Sequence, residues 1–400
     1  MTRWRWATIP ALLVAALVVP TSSGGAIGCD PAAPATCSLR ELGARAGIRI
    51  GAAVDPGQLG DGLLTTTLAR EFSSLTAENA MKWYAVEPTR GNEDYAGADA
   101  LVAFAEAHGM EVRGHNLLWA QDAYTPAWVK AITDPDDLRA VVEHHISSEV
   151  GRYAGRVPRW DVVNEPLASV GTGTSGSVFE RVLGPGWLAD AYRTAHQADP
   201  GAELWLNEYG TDWVPGKHAA LLALVRQLLR DGAPLDGIGL QTHRLGVDGP
   251  DRATFERQLR DFADLGLKVA ITELDVAIRP GDPTGLARQA EAYRTIVESC
   301  LAVTSCVEVT TWGISDRDTW LDGQGILPAP TRPLLFDDDF APKPAREAVA
   351  AALAAGRVGA TTTTTMGGGA GAASTTSTAV PSGSGAPPAS PVPADPAYTG

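Results

Sequence analysis

Basic residues are in short supply: 32 Lys and Arg stand against 47 Asp and Glu, a formal net charge of -15. Phosphate backbones need clustered Lys and Arg, so this balance argues against a nucleic-acid partner. It bears on solubility and partners, not on fold. Cysteine is scarce too, at 4 in 400 residues. The four form two close pairs, Cys29 with Cys37 and Cys300 with Cys306, and no histidine lies near either, which excludes a tetrahedral zinc cluster. No Gly-rich phosphate loop of the G-x-G-x-x-G or G-x-x-x-x-G-K-[ST] kind directly follows a strand-like run. A membrane span is missing as well, because the apolar stretch Ala7 to Val19 is shorter than the ~20 residues a spanning helix needs.

That stretch follows Arg3 and Arg5 and leads into small residues through Ala26, the pattern of a cleaved secretory signal. A lipid-attachment box at Ala26-Ile27-Gly28-Cys29 is the alternative, although the apolar run ends well short of Cys29. Export to an oxidising compartment predicts two local disulfides, Cys29–Cys37 and Cys300–Cys306. The second would clip the end of a helix to the start of a strand. Beyond Arg357 the composition turns to Thr, Ser, Gly, Ala and Pro, with Asp395 the only charge, which predicts a tail without a core of its own. The expected organisation is a signal at 1–26, an extension at 27–38, a folded domain at 39–356 and a tail at 357–400.

Between those ends the chain alternates strand-like and helix-like stretches. The strand candidates are Ile48–Val54, Ser73–Ala77, Glu111–Asn116, Trp160–Val163, Glu203–Asn207, Gly237–Gln241, Lys268–Thr272 and Val307–Thr311. Amphipathic stretches such as Leu101–His108, Leu138–Tyr153, Ala219–Leu229 and Arg252–Leu265 separate them, and a last helix is expected at Pro344–Ala355. Strand–helix units in this number, over ~250 or more residues, predict an α/β fold, a single (β/α)8 TIM barrel. An open doubly wound sheet is the alternative, but it usually has fewer strands and a Gly-rich first loop.

Reactive groups in such a barrel sit where strands give way to the following loops. Two strand candidates run into motifs that carry a carboxylate, RWDVVNEP with Glu165 and KVAITELDV with Glu273. Two carboxyls on one rim are the equipment for cleaving a glycosidic bond. The other strand ends add Glu78, Asn79 and Lys82, then His115, Asn116 and Trp119, Asn164, Asn207 with Tyr209, Gln241 with His243, Asp275, and Trp312 with Trp320 beyond. Donors and indoles converging on one rim suit a sugar polymer, whose hydroxyls need polar partners and whose ring faces need aromatic platforms.

TAENAMKW, RGHNLLW, WDVVNEP, QTH, ITELDV and TWGISD in this order resemble glycoside hydrolase family 10, the secreted endo-β-1,4-xylanases. The likeness runs from about Leu39 to Ala351. It implies hydrolysis of xylan with retention of configuration, Glu273 as nucleophile and Glu165 as acid/base, and no cofactor. It also implies that Asn164 holds the sugar 2-hydroxyl, that His243 and Asp275 support Glu273, and that Asn207 and Tyr209 lie near the reacting sugar. Glu78, Asn79, Lys82, His115, Trp119 and Gln241 match the family's non-reducing-side contacts, and Trp312 and Trp320 its indole roof. The chain departs from the commonest pattern at Ala120, where many relatives have histidine, and at Glu208, where aspartate is frequent.

Plainer roles compete with these. Glu165 could cap its loop, Glu273 could pair with a cation such as Lys82, the two histidines could be satisfied core residues, and the tryptophans could be packing. Asp337-Asp338-Asp339 reads as a solvated loop rather than a metal site. A β-glucan substrate, or a barrel that only binds polysaccharide, are the rival functions. The expected enzyme is an extracellular monomer acting on xylan or xylo-oligosaccharides.

Overall fold

The computed structural model describes residues 29–357; the expected signal and almost all of the expected tail lie outside them. Eight parallel strands close into a barrel: β1 (Arg49–Val54), β2 (Ser74–Ala77), β3 (Glu111–Trp119), β4 (Arg159–Asn164), β5 (Glu203–Glu208), β6 (Gly237–Leu240), β7 (Lys268–Val276) and β8 (Cys306–Thr311). Closure is made by β8 against β1, with Arg49 opposite Glu308 and Ala52 opposite Thr311. The expected TIM barrel is therefore the fold, and the doubly wound sheet is ruled out.

Helices cover the outside: α1 (Leu39–Ala46) before the barrel, then α2 (Gly62–Glu71), α3 (Ala96–Ala107), α4 (Pro135–Arg152), α5 (Trp187–Ala198), α6 (Lys217–Arg230), α7 (Arg252–Ala263), α8 (Gly285–Leu301) and α9 (Pro344–Ala355). Their ends follow from local chemistry. Ser38 and Glu41 form a reciprocal capping box on α1, and Gly47 ends that helix at φ 71°, a left-handed conformation that costs glycine little. Asp134 caps α4 by accepting the N–H groups of Asp136 and Asp137, with Pro135 in the first turn. α3 starts ahead of the expected Leu101 because its first turn, Ala96-Gly97-Ala98, carries no large apolar residue to mark it.

Two strands outrun their expected ends. β3 continues past Asn116 through a register shift, pairing Leu118 with Val163 and Trp119 with Asn164. β7 continues past Thr272 because the two-residue stretch His243–Arg244 pairs with its upper end, His243 opposite Asp275. Glu273 and Asp275 thus belong to the strand itself, two residues apart. The barrel interior is tight enough to require glycine: a Cβ on Gly114 would lie 2.2 Å from the Trp160 ring, and one on Gly239 2.3 Å from the Asn207 side chain.

Both expected disulfides are present, Cys29–Cys37 and Cys300–Cys306, the latter joining the end of α8 to the start of β8. At the barrel floor the Arg357 guanidinium donates to the carbonyls of Ala46, Gly47, Val303 and Cys306. Among the described residues no helix is long and apolar enough to cross a membrane.

Candidate active site

Parallel strands all point the same way, so their C-terminal ends share one rim and side chains from different strands meet over the barrel mouth. Lys82, His115, Trp119, Asn164, Glu165, Gln241, His243, Glu273, Trp312 and Trp320 line one cleft there.

Glu165 follows the last residue of β4 at φ 55°, a left-handed conformation rare for a residue with a Cβ. Its carboxylate accepts from Trp119 Nε1 at 2.9 Å, from Gln241 Nε2 at 2.9 Å and from Asn164 Nδ2 at 3.3 Å. All of these donors are side chains of the cleft, not backbone of the following loop, so Glu165 does not act as a loop cap. Burial pushes its carboxyl above the usual range; the hydrogen bonds from Gln241 and Trp119 and the Lys217 charge oppose this, and the negative Glu273 adds to it.

Glu273 is shifted the other way. Asn207 Nδ2 donates to its Oε1 at 2.6 Å and His243 Nε2 lies 3.1 Å from its Oε2. Burial opposes ionisation, but the His243 hydrogen bond and the positive influence of His115, His243 and Lys82 outweigh it and hold the carboxyl below its ordinary value. His243 Nδ1 is 2.9 Å from Asp275 Oδ2. Burial disfavours its charge, yet Asp275 and then Glu273 push His243 up to about 10, so the imidazolium donates from both nitrogens. Trp320 Nε1 gives Asp275 a further hydrogen bond at 2.8 Å. A second histidine faces the other oxygen: His115 Nε2 is 3.9 Å from Glu273 Oε1, and its Nδ1 is 2.9 Å from Asp161 Oδ2. The histidines are buried as the plainer reading held, but both are aimed at Glu273.

Carboxamides bridge the two carboxylates. Asn207 Nδ2 donates to Asn164 Oδ1 at 2.9 Å as well as to Glu273, and Thr272 Oγ1 donates to Asn207 Oδ1 at 2.6 Å. Lys82 Nζ sits 4.5 Å from the Trp119 ring centroid and 3.4 Å from Asn79 Oδ1. No ion pair within 4.0 Å joins it to Glu273 among the described residues; the cation that Glu273 pairs with is the His243 imidazolium, 3.1 Å away. Glu78 and Asn79 stand beside this group rather than in its lining. Burial, then Asp55, push Glu78 up to about 7, against the pull of Lys82. Trp312 meets both histidine rings edge to face, at 5.2 Å from His115 and 6.1 Å from His243. Trp119 stacks on Tyr124 at 3.7 Å. Tyr209 is buried beneath the loop that carries Glu165, with the Lys217 ammonium 3.4 Å from its ring centroid.

Sequence reasoning missed four groups. Asp55 follows the end of β1 and accepts from Asn79 Nδ2 at 2.9 Å; the same strand-end rule would have found it. Asp161 was visible as a charge inside an apolar run. Tyr124 and Lys217 left no signal, since neither ends a strand nor sits in a motif. The Asp337 carboxylate accepts the N–H groups of Asp339 and Ala341 and so closes a turn.

Residues 38–352 match the model of glycosyl hydrolase family 10. The chain belongs to that family. It is 39% identical over 317 residues to endo-1,4-beta-xylanase 3 of Hypocrea jecorina, covering 79% of this chain and 85% of that one. It is 36% identical over 318 residues to an endo-1,4-beta-xylanase of Agaricus bisporus, covering 78% and 93%. Among solved structures, native xylanase 10B from Thermotoga maritima superposes with a TM-score of 0.74 at 35% identity, over 79% of this chain and 98% of that one. Xylanase 10B from Thermotoga petrophila, solved in complex with xylobiose, gives 0.74 at 33% identity, over 79% and 97%.

Proposed function

We propose that this family 10 chain is a secreted, monomeric endo-1,4-β-xylanase in which Glu273 is the nucleophile and Glu165 the acid/base. The chain is a retaining glycoside hydrolase, an endo-1,4-β-xylanase by its family and relatives. The observation that carries the residue assignment is the opposed pair of shifts within one cleft, Glu165 raised and Glu273 lowered. Two titratable groups driven apart by their surroundings are the mark of an acid and a nucleophile working together.

Glu273 attacks the anomeric carbon as the bond to the departing sugar oxygen breaks, and Glu165 gives that oxygen its proton. A glycosyl ester on Glu273 results, and the leaving half of the polymer departs. Glu165, now ionised, takes a proton from water as the water oxygen attacks the anomeric carbon, and Glu273 is released. Asn164 would hold the 2-hydroxyl, where a hydrogen bond strengthens as positive charge develops on the ring. His243, held by Asp275, keeps the nucleophile ionised between turnovers. Glu78, Asn79, Lys82, His115, Trp119 and Gln241 would bind the non-reducing side, Asn207 and Tyr209 would border the reacting unit, and Trp312 with Trp320 would roof it. Xylose has no hydroxymethyl at C6, so a tight indole roof excludes glucose. Domain limits of 39–356 and export by the first 26 residues complete the proposal, and the disulfides fit an oxidising compartment.

NMR of the earliest products tests the chemistry: β-xylose ends are expected first, and initial α-product would overturn the assignment. Greater turnover of carboxymethyl-cellulose than of xylan would overturn the substrate.

A further inference from the structure

Glu208 and Lys217 form an ion pair at 3.0 Å with neither side chain exposed. Lys217 opens α6, where the helix dipole disfavours a cation, so helix stability does not account for its burial. Glu208 does account for it, and each oxygen of Glu208 has a further partner. Oε2 accepts the N–H of Leu167 at 3.0 Å, while Oε1 accepts the N–H of Tyr209 at 3.0 Å and faces Lys217. Leu167 is two residues beyond Glu165, across Pro166, in the segment that begins with the left-handed backbone of Glu165.

We infer that Glu208, held as a carboxylate by Lys217, is a positioning residue that clamps the 165–167 turn of β4 to the end of β5 and so aims the Glu165 carboxyl at the leaving oxygen. Both N–H groups need their own acceptor, and only an ionised carboxylate offers two oxygens free of protons. Burial, with the Glu165 charge adding to it, pushes the Glu208 carboxyl up to about 7 against the pull of Lys217, so the ion pair at 3.0 Å and the two backbone N–H donors are what favour its carboxylate form. Without the clamp, Glu165 keeps its cleft partners Trp119, Gln241 and Asn164 and its backbone bond to the Asn207 carbonyl, and Gln121 still donates to the Glu165 and Leu167 carbonyls, but the Leu167 N–H loses its anchor to β5.

The inference rests on the acid/base role of Glu165, so Glu165→Ala is measured in parallel. The test is kcat/KM of the full chain on an aryl xylobioside with an activated phenol and on xylan, whose leaving oxygen needs a proton. Glu208→Gln is nearly isosteric but keeps a single acceptor oxygen, so one of the two N–H groups is left without a partner. It should cost roughly 10- to 100-fold on xylan, the scale of a misplaced catalytic group, and about threefold or less on the activated substrate. Glu208→Asp retains charge and both acceptors and should recover much of the xylan activity. The double variant Glu208→Gln with Lys217→Met leaves no lone buried charge and should keep the selective loss; it carries the same comparison if the single variant does not fold. Equal losses on both substrates, no loss, or wild-type behaviour of the double variant would each overturn the clamp. A uniform loss in Glu165→Ala would instead overturn the acid/base role itself.

Discussion

At the barrel floor, Glu308 is surrounded by Arg49, Arg113 and Arg159, and Arg113 makes a two-point contact with Asp161, 2.6 Å at the closer atom. At the mouth, Glu165 accepts from the Asn164 and Gln241 amides and Glu273 from the Asn207 amide, which also donates to Asn164, and among the described residues no guanidinium touches either carboxylate. Burial penalises the charge of Glu308 and Asp161, and the arginines, with His115 for Asp161, more than offset it, so both carboxyls sit below their ordinary range. The floor drives both of these carboxyls the same way. The mouth drives two carboxyls in opposite directions. Buried charge matched by buried charge makes a rigid base, whereas carboxylates held by amides, an indole N–H and a histidine, with no guanidinium against them, are left to change protonation state.

Glu273→Ala should break this contrast most severely, lowering kcat/KM by on the order of 10⁴-fold or more on every substrate, as removal of a catalytic nucleophile does. Steady-state assay on xylan and an aryl xylobioside checks it. Glu165→Ala should cost about 10²- to 10⁴-fold, but only where the leaving group needs a proton.

Glu308→Gln probes the other end. Breaking a buried pair costs about 3–5 kcal/mol, to be read from denaturant midpoints, with the pH profile of kcat/KM unmoved. The sign with pH follows from linkage. The Glu308 carboxyl is depressed in the folded chain relative to about 4.3 unfolded, so its contribution is full at neutral pH and disappears as pH falls through the folded value. The variant's stability should therefore fall less steeply in acid than that of the wild type.

Asp275→Asn sharpens the mouth. His243 loses its main positive drive, Glu273 becomes harder to ionise, and the acid limb of kcat/KM should move up by about one pH unit. The smallest effect expected is from Trp320→Phe, which keeps an aromatic roof but removes the hydrogen bond to Asp275. About 1 kcal/mol, or roughly fivefold in kcat/KM on xylan, is the scale.

The barrel was legible in the sequence because buried parallel strands are written as short β-branched runs, and because those runs end in polar motifs at the mouth. Glu165, Glu273, His243 and Asp275 were legible for the same reason. Strand ends were less so: β7 reached Val276 because His243–Arg244 came back to pair with it, a non-local event that no window around Thr272 records. Lys217 was hidden in the same way. It reads as the first residue of an amphipathic helix until the fold sets it against Glu208.

Arg357 ties the end of the described chain to the turn before β1 and the turn before β8, both on the side remote from the cleft. Arg357 itself therefore lies at the back of the molecule. A polypeptide or solid support attached there would act as a tether that keeps the groove facing outward, free to travel along a long polysaccharide without meeting its own anchor.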